Sequence, residues 1–282
     1  MKKSLLAALL TFLLCIGSLP AAVISFESAS DLDLFNQFNQ NGDSVNFWYY
    51  SESAGFNNSG GIVGIVSPTP GWANPGWAIL KEPLADRHSV SATIMFKLGT
   101  PAVTVNGYAL LLGLAPSSDF IPKTGTADAA TNFLSSIFFL RYNADTGTYS
   151  FQTAAFYSVE GTPDGNSRSS ILELEYDKWY ALGLDVTLDN EGKYTLKSSL
   201  YTVAGDGSLA LVPNAVATRT FQLPGLANAE NNYLFFGVPG QAQNRGILVL
   251  DNLDYPSIPE AGSMSLLGLG AVALSGLLRR RS

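Results

Sequence analysis

Along residues 89–98, SVSATIMFKL, Val90, Ala92, Ile94, Phe96 and Leu98 share one parity and Ser91, Thr93 and Lys97 the other. A period of two is that of a strand with one buried face. WYALGLDVTL at 179–188 repeats it, with Tyr180, Leu182, Leu184, Val186 and Leu188 on one side and Asp185 and Thr187 on the other. DNEG (Asp189–Gly192) then turns into KYTLKSSLYTV, which makes a hairpin. A second hairpin joins IFFLRY to TYSFQTAAFY through Asn143–Gly147. Further strands are expected around Ile62–Val66, Trp77–Lys81, Tyr108–Leu114, Ala217–Leu223, Tyr233–Val238 and Ile247–Leu253. Helical spacing is persuasive in the body only around Asp31–Asn39. Many strands separated by Gly, Asn and Asp turns predict an all-β fold, an antiparallel two-sheet sandwich. Asp119–Asn132 and Glu160–Ser170 read as long surface loops.

The alternation stops at both ends of the chain. The start, MKKSLLAALLTFLLCIGSLPAAV, has a basic n-region (Lys2, Lys3), an apolar h-region (Leu5–Ile16) and small residues, Ala21 and Ala22, at the cleavage position. Residues 1–22 therefore read as a secretory signal peptide. Cys15 is no lipidation site, because Leu14 precedes it where a small residue is needed. At the other end, Ala261 to Leu278 is an uncharged run of 18 residues, followed at once by Arg279, Arg280 and Arg281. That is close to the roughly 20 residues of a membrane-spanning helix, and the arginines favour its cytoplasmic side. Residues 258–282 form this terminal segment, which leaves 23–257 as one β-sandwich domain.

The tail resembles the PEP-CTERM sorting signal of Gram-negative bacteria, on the strength of Pro259, Glu260 and Ala261, the apolar helix and the arginine cluster. Ala261 stands where that family usually has a second proline. The resemblance implies export by the general secretion machinery, a transient stay in the inner membrane, and processing by an exosortase, a membrane-embedded transpeptidase analogous to sortase. It places the protein at the cell surface or in the extracellular matrix and says nothing of what the body does.

The terminal segments hold five of the 16 basic residues and one of the 23 acidic ones, so the 235 residues between them carry eleven against 22, a net charge of −11. Such a body repels nucleic acid and anionic lipid. It contains no cysteine, so an exported domain must rely on its core rather than on disulfides.

The order KWYALGLDV, KYTLKSSLY and a late ILVLDNLDY resembles the concanavalin-like or laminin-G-like jelly roll. The resemblance implies glycan binding, with extracellular polysaccharide as the partner. It also implies a structural calcium ion where an acidic residue near the first strand meets an aspartate on the last, here Glu27 and Asp251 with Asn252. Calcium takes oxygen ligands only, which suits an acidic, cysteine-free domain. For sugar stacking the candidates are Trp72, in the Pro/Gly-rich loop TPGWANPGW, and Asn74 for hydroxyl contacts. Trp48, Tyr50 and Trp77 are expected in the core.

Catalytic chemistry finds little support. The single histidine, His88, has no GxSxG elbow to serve. In ELEYD, Glu173, Glu175 and Asp177 alternate, and a strand would put all three on one face. Jelly-roll glycosidases use such an acidic strand, but in the pattern Glu-x-Asp-x-x-Glu, which this sequence lacks. The expectation is a non-catalytic module, with a glycoside hydrolase or lyase as the alternative.

Overall fold

Alternation along the strands becomes layering in three dimensions. The computed structural model describes residues 21–38, 47–64, 76–86, 88–99, 107–119, 132–143, 148–158, 166–238 and 248–256. Its fifteen strands are β1 (Ala21–Ile24), β2 (Phe35–Phe38), β3 (Trp48–Ser51), β4 (Gly61–Gly64), β5 (Gly76–Leu80), β6 (Ser89–Leu98), β7 (Gly107–Ala115) and β8 (Phe133–Asn143), then β9 (Thr148–Ser158), β10 (Asn166–Arg168), β11 (Trp179–Leu188), β12 (Lys193–Val203), β13 (Leu209–Gln222), β14 (Tyr233–Val238) and β15 (Leu248–Pro256). One antiparallel sheet has the order β13-β12-β11-β6-β15-β4-β3, with β1 added against β15, and the other β10-β9-β8-β7-β14-β5-β2. No helix among the described residues is long and apolar enough to cross a membrane, and the apolar tail lies outside them.

The expected faces are the observed ones. Val90, Ala92, Ile94, Phe96 and Leu98 of β6 are all buried, as are Tyr180, Leu182, Leu184 and Val186 of β11. The turn between β11 and β12 is fixed by Asp189, whose Oδ1 accepts from Glu191 N at 2.9 Å and Lys193 N at 2.8 Å. The two sheets interlock through aromatic pairs such as Phe96–Phe138 (centroids 4.8 Å apart) and Trp48–Phe236 (5.4 Å). Inside the core, Ser136 on β8 shares a hydrogen bond with Ser198 on β12, and Thr153 on β9 donates to Ala215 O on β13 at 3.2 Å. β8 thus lies over β12 and β9 over β13, and the stack ends with β2 and β3 at the opposite edge.

Two expectations are corrected. Within the expected Asp31–Asn39 helix, the described residues 31–38 are not α-helical. A short 3₁₀ turn, Ala29–Leu34, capped by Ser28 and Asp31, gives way to β2 at Phe35. Phe35 goes extended because its ring is drawn into the core, 5.2 Å from Phe236, so packing overrides local propensity. The second correction lies in the expected Glu160–Ser170 loop, where Asn166–Arg168 pairs along β9 as an edge strand.

The seven-stranded sheet is apolar on its outer side as well. Trp77, Ile79, Leu111, Phe133, Ile137, Phe156 and Phe235 form a second buried cluster there, separate from the inter-sheet core. Trp77 is buried as expected, but in this cluster. Glycines make room for it: a Cβ on Gly113 would lie 2.6 Å from the Phe235 ring, and one on Gly237 would lie 2.3 Å from Trp77. Strands buried on both faces read as near-continuous apolar runs, and YALLLGLA and YLFFGV are such runs. If the outer layer is a true core, Phe235→Ala should destabilise the fold by about 3–5 kcal/mol, on the scale of Phe236→Ala on the inner face. Urea unfolding of the two variants tests this. A near-neutral Phe235→Ala would show that the outer cluster carries no stability.

Candidate functional site

Asp251 is 1% exposed, on the last strand, where a β-bulge shifts the register between Asp251 and Leu253 against β6. The extra residue is Asn252, held at φ 43°. The bulge keeps Leu250 and Leu253 both in the core and leaves Asp251 on the outer side of its sheet, beneath the turn that joins β3 to β4. Its Oδ2 accepts from Phe56 N at 2.7 Å and from Ser59 Oγ at 3.3 Å, and its Oδ1 accepts from Asn252 N at 2.7 Å. Glu27, just after β1, grips the same turn by accepting from Gly60 N at 3.0 Å, while its own carbonyl accepts from Tyr50 Oη at 2.7 Å. Two carboxylates from opposite ends of the domain thus hold one nine-residue turn, residues 52–60.

The electrostatics follow from that burial. Loss of water pushes the Asp251 carboxyl above its ordinary range; the bonds from Phe56, Asn252 and Ser59 oppose the rise, and the nearby Glu27 charge adds to it. Among the described residues no basic side chain forms a salt bridge with Asp251. A buried carboxylate with no cation beside it is costly. The donors at hand are oxygens: two carboxylates, the Ser59 hydroxyl, the Asn252 amide and the carbonyls of the turn. That set fits a hard cation such as calcium, although no three His, Cys, Asp or Glu side chains gather among the described residues. The clamped turn also sets Phe56 edge-on to Trp179 (5.9 Å, 89°), with the Lys97 ammonium 5.3 Å from the Trp179 ring centre.

A jelly-roll sandwich is also what known structures report. No family model matches the chain, and no curated protein matches it. Among solved structures, peanut lectin is 12% identical over 84% of this chain and 97% of its own, with a TM-score of 0.50. The marine PL-14 alginate lyase from Aplysia kurodai is 8% identical over 86% of this chain and 99% of its own, also with a TM-score of 0.50. The shared property is the fold. It is a concanavalin-like jelly roll.

The remaining expected residues are distributed as follows. Trp72 and Asn74 lie outside the described residues, as do Pro259, Glu260, Ala261 and Arg279–Arg281. Trp48 is buried, Tyr50 half-buried and Tyr49 exposed. Glu173, Glu175 and Asp177 do not share a strand face. After a single bridge at Leu172 the chain runs as coil and turn, Asp177 has φ 58°, Glu175 N donates to Tyr180 Oη at 3.1 Å, and the Glu175 carboxylate meets Lys178 at 3.7 Å with both side chains well exposed. The alternation there arises because Leu172, Leu174 and Tyr176 dip against the core between solvated acids.

Sequence reasoning missed a groove at the β2/β3 edge. It has a volume of about 460 Å³ and takes its walls from the 3₁₀ turn, β2, the start of β3 and Lys81. Lys81 Nζ donates to Asp33 O at 2.6 Å, and Gln37 Oε1 accepts from Trp48 N at 3.0 Å across the two sheets. No sequence signal could have found it, because its parts are scattered from residue 29 to residue 81.

Proposed function

We propose that this protein is exported to the cell surface or extracellular matrix, is handed to an exosortase by its C-terminal signal, and uses its β-sandwich to bind glycan without cutting it. The export half rests on the tripartite sequences at the two ends of the chain. The glycan half draws on the fold, which is shared with a lectin and with an enzyme that acts on alginate. The observation that favours binding over cleavage is the place of Glu173, Glu175 and Asp177 in a solvated turn. Glycosidic hydrolysis requires two carboxyl groups held at a set separation, usually with one pKa raised by burial. The lyase reading draws on the same alginate-lyase likeness and is the alternative to be tested.

Calcium between Glu27 and Asp251, with Asn252 beside them, belongs to this proposal. It would supply the positive charge that the buried Asp251 carboxylate otherwise goes without.

Calcium should raise the melting temperature of the full chain at neutral pH by roughly 5–10 °C at about a hundred times its Kd, and Asp251→Ala should abolish that gain. In calcium-free protein the raised Asp251 pKa makes the folded state bind its proton more tightly than the unfolded one. That contribution is therefore present at low pH and is lost as pH rises through the raised value. Protons then compete with calcium, so the calcium gain should shrink on acidification. Identical melting curves with calcium and with chelator would remove the ion from the proposal.

Processing at the Pro259–Ala261 motif should leave surface-extracted protein lighter by the apolar run and the three arginines, as read by intact mass. Recovery of chain that still carries Arg281 would mean retention as a plain membrane protein.

Incubated with a panel of bacterial and algal polysaccharides, the full chain should be retained on at least one in affinity gels. It should release neither reducing ends nor unsaturated sugar ends. Sugar release that disappears in Glu173→Gln or Glu175→Gln would establish a hydrolase at the acidic turn, and unsaturated products would establish the lyase.

A further inference from the structure

Any glycan site must lie where polar groups reach solvent, and around Trp77 and Phe235 the outer face of the seven-stranded sheet is buried, its Ser135 and Gln152 included. Trp77, Ile79, Leu111, Phe133, Ile137 and Phe235 there are at most 1% exposed. The described surface does carry one open hollow with the chemistry that sugars need. We infer that the groove between β2 and β3 is a binding site for a short stretch of a neutral oligosaccharide; the inference rests on the glycan-binding reading above and gives it a location.

Size comes first. About 460 Å³ falls within the roughly 300–1,000 Å³ of small-ligand sites. The groove also has an aromatic surface. Tyr49 is 46% exposed, the only aromatic among the described side chains that is open to this degree, and it stands at the groove beside the buried Trp48. An open phenol ring offers a stacking face and a hydroxyl at its tip.

Donors and acceptors lie side by side along its walls. Sugar hydroxyls each donate once and accept twice, so a sugar site needs both kinds of group side by side. Gln37 spends its Oε1 on Trp48 N, which leaves the amide its donor side. Lys81 spends one ammonium hydrogen on Asp33 O and keeps two. Asn36 spends its Nδ2 on Ser118 O at 2.9 Å and keeps its acceptor. The Asp33 carboxylate supplies further acceptors. These same bonds fix the side chains in place, which lowers the ordering cost of binding.

Charge then selects the class of sugar. The groove holds one carboxylate, Asp33, and one ammonium, Lys81, so it is balanced, while the body around it is strongly acidic. A uronate chain would meet an unfavourable field with no surplus cation to receive it. A neutral hexose chain meets no such barrier. The site also stands apart from the Glu27–Asp251 clamp, with which it shares no lining residue.

The test uses the full chain in a detergent without a sugar headgroup, labelled with 5-fluorotryptophan. Its four tryptophans give four fluorine signals, and Trp48→Phe assigns the one that lies in the groove wall. Cellotetraose, laminaritetraose and maltotetraose serve as neutral probes and alginate tetrasaccharide as the anionic one. A neutral tetrasaccharide should shift the Trp48 signal saturably. Binding should weaken tenfold or more in Tyr49→Ala and in Asp33→Ala and survive in Tyr49→Phe, with the Trp77 and Trp179 signals of each variant unchanged as evidence of folding. A shift confined to Trp72, with affinity unaltered in Tyr49→Ala, would overturn the groove and leave the glycan reading standing. A Trp48 shift produced by alginate alone would overturn the neutral class. No shift of any signal with any of the four probes would overturn both the groove and the glycan reading.

Discussion

The interleaving of two inner sheet faces is the constraint on which this molecule depends. A chain with one cysteine, placed in its N-terminal segment, can form no internal disulfide, so packing alone must hold a domain of more than 200 residues together. Phe26, Phe35, Trp48 and Phe236 mesh at one end of the sandwich, and Tyr157 stacks on Phe221 at 3.9 Å near the other. Apolar packing is tolerant of sliding. The buried polar pairs Ser136–Ser198 and Thr153–Ala215 are not, because a slip of either would strand a hydroxyl without a partner. They fix which strand lies over which, and therefore that the sandwich closes with β2 facing β3.

The second apolar layer changes what the surface can do. A sheet that spends both faces on burial keeps even Ser135 and Gln152 from solvent, so among the described residues chemistry retreats to turns and edges. Both candidate sites obey this. The carboxylate clamp sits at a bulge under a turn, and the groove sits where two edge strands meet.

How far the sequence foretold this depends on how each feature is encoded. β6, β11 and β12 were legible because each keeps one wet face, which writes a period of two into the chain. β7 and β14 were legible as strands, but two-sided burial erases the alternation, so the outer layer around Trp77 and Phe235 left no separate mark. The likeness to jelly rolls named Glu27 and Asp251 as calcium ligands; the structure shows each of them bonded to the turn between β3 and β4. The bulge that makes this possible was not foreseen, since one inserted residue, Asn252, changes neither composition nor hydropathy. The acidic alternation of Glu173, Glu175 and Asp177 is the solvated turn expected from its mismatch to the catalytic pattern, although its period is that of a strand. A coil that dips its apolar residues onto the core has the same period as a strand. Edge strands β1, β2 and β10 are three or four residues long, too short for any pattern to rise above chance.

The pairing of β1 with β15 has a consequence for time rather than for shape. Ala21 sits opposite Pro256 and Ile24 opposite Leu253, so the first strand finds its partner more than 200 positions downstream. Contacts of such separation carry the largest loop-closure entropy and set the pace of folding. During synthesis from the N-terminus, β1 must wait with its hydrogen-bonding edge unmatched until the last strand of the sandwich has been made. β1 and β15 run antiparallel, so the chain enters the sandwich at Ala21 and leaves it at Pro256 side by side, and the point where folding can begin is also the point where it closes.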